Sequence, residues 1–215
     1  MKPAKLIASL VFFLTAITAS ATNFSFTGDF QYDNDVQLFS FTVDSTSSVT
    51  LRSWSYAGGT NADGQSIAQG GFDPILALFD SSGARIAEQD DGGCSAVAAD
   101  SVTGRCWDTF FTVLLGPGTY TASVQQYDNF ATANLSTGFV RDGVQFQNFR
   151  DGFVDDSGNR RNASWAFDIL NVTQADVPPV VDVPEPASLF LMGGALAGMV
   201  FARRRKAVPR VKKSS

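Results

Sequence analysis

Pro74-Ile75-Leu76-Ala77-Leu78-Phe79 is an unbroken apolar run of strand length, preceded by Asp73 and closed by Asp80-Ser81-Ser82-Gly83. A half-exposed strand alternates polar and apolar positions, so a short continuous run bounded by turn residues predicts a strand buried on both faces. The surrounding chain does alternate. Phe24-Ser25-Phe26-Thr27, Phe39-Ser40-Phe41-Thr42-Val43, Val49 and Leu51 within Ser47–Tyr56, and Trp165, Phe167 and Ile169 all place apolar side chains two residues apart. Asp108–Leu115 and Thr119–Tyr127 read as two further strands, with Gly116-Pro117-Gly118 between them as a tight reversal. Other turn clusters stand at Asp44-Ser45-Thr46, Asp90-Asp91-Gly92-Gly93 and Asp156-Ser157-Gly158-Asn159. Short strands at regular turn spacing predict an all-β fold, an antiparallel sandwich or jelly roll, over residues 22–173.

Composition narrows the chemistry. The 215 residues include no histidine, which excludes Ser-His-Asp and Cys-His catalysis and any zinc site built on imidazole. Charge is strongly partitioned. Residues 22–182 carry seven basic side chains, all arginine, against twenty acids, a net charge of −13. A surface this acidic repels phosphate backbones, so no nucleic-acid partner is expected; it suits divalent cations better.

The two ends read as addresses. Lys2 and Lys5, the apolar stretch Leu6–Ile17 and Ala19-Ser20-Ala21 form the three parts of a secretory signal peptide over residues 1–21. A Pro-rich linker, 174–186, leads to an uncharged stretch, 187–202, and a basic tail, 203–215. The uncharged stretch is expected to form one C-terminal transmembrane helix, with Arg203-Arg204-Arg205-Lys206 as a cytoplasmic stop. Pro184-Glu185-Pro186, the Gly-rich segment and the Arg-rich tail together resemble the PEP-CTERM sorting signal of exopolysaccharide-producing Gram-negative bacteria. That resemblance implies recognition by an exosortase and processing near the Pro-Glu-Pro motif. The precursor would be anchored in the inner membrane with its domain in the periplasm, then pass to the cell surface. A plain permanent anchor on a stiff stalk is the alternative.

A second resemblance covers residues 33–127. Asp33-Asn34-Asp35-Val36-Gln37-Leu38-Phe39-Ser40-Phe41 is followed by Phe72–Asp80, Gly83, Glu88-Gln89-Asp90-Asp91-Gly92-Gly93 and Leu115-Gly116-Pro117-Gly118-Thr119-Tyr120. These blocks, in this order, resemble the bacterial pre-peptidase C-terminal domain, a jelly-roll sandwich. Residues 128–163 depart from that pattern as a long insert with no assigned role.

Cys94 and Cys106 are the only cysteines, and in an exported segment they are expected to form a disulfide; free thiols or a nucleophile are the alternatives, the latter with no histidine to activate it. Asp33, Asp35, Asp73, Asp90, Asp91 and Asp108 flank predicted strands and are candidate calcium ligands if the fold gathers them at one end, as some relatives of the resembled domain do. Otherwise they are ordinary turn formers. Two carboxyls in a cleft would suit a carbohydrate-active hydrolase, with Trp54, Tyr56, Trp107 and Trp165 as candidate sugar platforms. The expectation is a non-enzymatic envelope or matrix protein with no catalytic residue, linked to extracellular polysaccharide.

Overall fold

The computed structural model describes residues 20–144, 147–155 and 157–178. The expected signal peptide up to residue 19, the Pro-Glu-Pro motif, the expected membrane helix and the expected basic stop lie outside the described residues.

Thirteen strands are described: β1 (Thr22–Asp29), β2 (Val36–Val43), β3 (Ser47–Ser53), β4 (Gly59–Thr60), β5 (Ser66–Ile67), β6 (Pro74–Phe79), β7 (Arg85–Gln89), β8 (Phe110–Leu115), β9 (Gly118–Gln126), β10 (Phe153–Val154), β11 (Arg160–Arg161), β12 (Ser164–Val172) and β13 (Gln174–Asp176). They form an antiparallel sandwich. One sheet has the order β1-β12-β3-β8 and the other β13-β2-β9-β6-β7; β4-β5 and β10-β11 are small ribbons. Among the described residues no helix is long and apolar enough to cross a membrane.

Alternation explains the layers. Phe39, Phe41 and Val43 of β2, Val49 and Leu51 of β3, Ala122 and Val124 of β9, and Trp165, Phe167 and Ile169 of β12 point into one buried cluster. Phe39 meets Phe167 at 4.9 Å and Trp165 edge-on at 5.7 Å between ring centroids, joining the two sheets. Burying an aromatic side chain of this kind contributes on the order of 1.5–3 kcal/mol.

The apolar run of β6 is buried throughout, as its sequence predicts. Leu76 and Leu78 face the main core. Ala77 and Phe79 face outward and pack with Ala131 and Phe139 of the 128–163 insert, which lays a cover over the five-stranded sheet. This cover is what turns an alternating strand into a continuous one.

Gly116-Pro117-Gly118 is not a hairpin turn. β8 pairs with β3 in one sheet, whereas β9 pairs with β2 and β6 in the other, so this loop crosses between sheets. Asp44-Ser45-Thr46 makes the same crossing beside it, since Val43 pairs with Gly118 and Ser47 with Leu115. A two-stranded ribbon is thereby folded over the core, the wrapping expected of a jelly roll. Residues 174–176, which the sequence reading places in the linker, instead form β13 and extend the sheet beside β2.

Candidate functional site

The strand directions send one set of connections to the end of the sandwich opposite those crossings. Asp33 lies between β1 and β2, Tyr56 after β3, Asp73 before β6, Asp90 and Asp91 after β7, Trp107 before β8, and Gln126 ends β9. They meet around a cleft of about 580 Å³, whose remaining wall comes from Tyr127 and from the insert, including Arg141, Phe149 and Phe153. That volume lies in the range of small-ligand sites, about 300–1,000 Å³.

Four of the six candidate calcium ligands line the cleft: Asp33, Asp73, Asp90 and Asp91. Asp35 does not; its Oδ2 accepts the Gln31 and Tyr32 amides at 2.7 and 2.9 Å and closes its own turn. Asp108 is buried behind the wall, accepting Ser53 Oγ at 2.8 Å and the amides of Tyr56 and Ala57 at 3.1 and 2.8 Å. Burial pushes its pKa up and those hydrogen bonds act against the shift. Asp33 is held by the Gln147 amide at 2.7 Å and paired with the Arg141 guanidinium.

The arginines of the cleft are both engaged. Arg141 pairs with Asp33 and, at 3.0 Å, with Asp128. Arg161, only 3% exposed, reaches Asp100 at 3.1 Å and Asp155 at 2.9 Å, and its guanidinium stacks 3.8 Å from the Tyr56 ring centroid. Burial disfavours the Asp100 and Asp155 anions, but hydrogen bonds, including those from Arg161, hold both carboxyls below their ordinary range. Asp73, Asp90 and Asp91 have no cation partner among the described residues.

Asp73 is the unusual group. Burial pushes its pKa up to about 8, and the neighbouring Asp91, Asp90 and Asp108 push in the same direction. Its Oδ1 is buried without a hydrogen-bond partner among the described residues. Burial, and then Asp90, also raise Asp91. The backbone fixes this arrangement: the Tyr127 amide donates to the Asp73 carbonyl at 2.8 Å, and Thr109 Oγ1 lies 2.6 Å from the Asp90 carbonyl. Among the described residues no three carboxylate or thiolate groups are gathered into a metal cage.

Cys94 and Cys106 form the expected disulfide, with Cα atoms 5.1 Å apart. It anchors the loop that presents Trp107 and carries Asp100 to Arg161. Of the candidate sugar platforms, Tyr56 and Trp107 line the cleft. Trp54 lies under Arg52 and donates to Asp168 at 2.7 Å, and Trp165 belongs to the core. Sequence reasoning missed Gln126, Tyr127, Arg141 and Arg161. The scarcity of basic residues in this acidic domain was the available signal for the two arginines.

Residues 182–206 match the PEP-CTERM protein-sorting motif. No curated protein matches the chain. Among solved structures, the pre-peptidase C-terminal domain of a collagenase from Bacillus anthracis aligns over 72% of this chain and 90% of that one, at 11% identity and a TM-score of 0.33. The sorting motif marks the chain as an exported, membrane-anchored precursor that an exosortase processes.

Proposed function

We propose that this chain is a non-enzymatic envelope or matrix protein, delivered through the periplasm to the cell surface, whose sandwich binds extracellular polysaccharide through its end cleft. The signal peptide at 1–21 starts export, and the segment 187–202 holds the precursor in the membrane until processing. The observation that carries the binding role is the cleft itself: Trp107 and Tyr127 line it together with Asp73, Asp90 and Asp91, none of which has a salt-bridge partner among the described residues. Aromatic faces and polar groups converging in an open groove suit a sugar chain.

The test is co-sedimentation of the full chain with exopolysaccharide from the producing bacterium. Retention is expected for the native chain and is expected to fall for Trp107→Ala combined with Asp91→Asn. Equal retention of the variant would place binding elsewhere.

Calcium is a second candidate occupant, favoured by the same three aspartates. Its six to eight oxygens would have to include carbonyls and water. Calcium titration with and without chelator tests it: a saturable heat lost in Asp91→Asn supports the site, and no heat removes it. A hydrolase reading draws on one observation, a protonated Asp73 beside an ionisable Asp91. Glycan turnover abolished by Asp73→Asn would favour it over simple binding.

A further inference from the structure

Resting on the polysaccharide reading of the cleft, we infer that its ligand is a cationic, amine-bearing sugar chain, recognised through an ammonium group at Asp90 and Asp91.

Three observations carry this. First, both arginines that line the cleft are spent on Asp33, Asp128, Asp100 and Asp155, and Arg105, 5.4 Å over the Trp107 ring, is not among the lining residues. The uncompensated charge is negative. Second, these carboxylates do not form a metal cage among the described residues. An ammonium group needs less: it carries three donors on one point charge and is satisfied by a few acceptors and water. Third, Gln126 lines the cleft only 7% exposed, and its side-chain amide makes no hydrogen bond among the described residues. An amide whose donor and acceptor are open to the cleft can be met by a sugar hydroxyl, which serves both roles. Tyr127, 46% exposed, and Trp107, whose ring packs on Tyr56 and carries Arg105, line the same cleft and offer aromatic surface to a pyranose.

The mixture selects against other cations. A bare metal ion can take the Gln126 carbonyl oxygen as a ligand but has no use for its N–H donors. A lysine side chain would use the carboxylates and rings but carries no hydroxyls for the amide.

The experiment is isothermal titration of the full chain with three probes of equal length: a glucosamine oligomer, its N-acetylated counterpart and oligolysine. The glucosamine oligomer is expected to bind most tightly. Acetylation, which removes the charge, and Asp91→Asn are each expected to weaken binding about tenfold or more, the scale of one lost charged hydrogen bond. Asp91 is solvent-exposed, so its replacement is expected to leave the melting temperature unchanged; Gln126→Met, which keeps the volume, tests the amide separately. Equal affinity for the acetylated oligomer overturns the ammonium inference while the polysaccharide reading stands. Equal affinity for oligolysine overturns the sugar half. Retention on the bacterium's own polysaccharide without binding to any probe sinks this inference alone, whereas loss of both sinks the cleft reading as well.

Discussion

Asp73 keeps its proton in the folded chain up to about pH 8, against 3.8 for an ordinary aspartate, because burial and three neighbouring aspartates oppose its ionisation. Between those values the folded state binds a proton that the unfolded state releases, so stability falls as pH rises through that window. Asp73→Asn keeps the shape and removes the titration. Urea unfolding at pH 5 and pH 8 should show the native chain losing more stability than Asp73→Asn; equal losses would show that Asp73 is not the group responsible. Gly28 makes a different demand, one of space. A Cβ there would stand 2.4 Å from Trp165 Cζ2, so Gly28→Ala must displace a ring packed against Phe30 and Phe39. Thermal unfolding of that variant should show a loss of about 1–3 kcal/mol, as overpacked cores do. No loss would mean that the indole can move. Neither demand is legible in the sequence: Asp73 reads there as one more acid before a strand, and Gly28 as one glycine among nineteen.

The elements were more legible than their partners. The strands around Phe39, Val49, Leu76, Val113, Val124 and Phe167 follow from alternation or an apolar run, because side-chain direction repeats every two residues. Which strand pairs with which does not follow. Gly116-Pro117-Gly118 has the residues of a hairpin turn yet joins two sheets, because β8 and β9 find better partners in β3 and β2. β7 was hidden by Arg85, Glu88 and Gln89, polar residues suited to an edge strand, and β13 by its shortness. The insert was unread because its apolar residues follow no period: Ala131 and Phe139 cover β6, while Phe149 and Phe153 stack at the cleft. The cysteine loop, by contrast, was read from two residues and their compartment. Replacing both Cys94 and Cys106 by Ser should lower stability by about 3 kcal/mol on the loop-entropy scale, measured by denaturant unfolding. It should also weaken ligand retention, since the loop carries Trp107. Unchanged retention would detach the loop from function.

At the scale of the whole molecule, delivery was the clearest part of the sequence, and the working surface the least clear. Addresses are linear and can be read along the chain. The cleft draws on four separate connections, the end of β9 and the insert, so it exists only after folding. Of the six aspartates offered by the sequence, the fold uses Asp35 and Asp108 to build backbone, pairs Asp33 with Arg141, and leaves Asp73, Asp90 and Asp91 without a cation. Delivery predicts a mass. The protein recovered from outside the cells should lack residues 1–21 and the segment beyond the Pro-Glu-Pro motif, as read by intact mass spectrometry. Retention of the basic tail would instead show a permanent anchor.

The central claim is that the end cleft is where this protein meets the matrix. Amide hydrogen exchange, measured with and without exopolysaccharide from the producing bacterium, tests it most directly. The account predicts slowed exchange around Asp73, Asp90–Gly93, Trp107 and Gln126–Asp128, with the opposite end unchanged. Slowing confined to the crossings at residues 44–46 and 116–118, or to the free edge of β8, would contradict it.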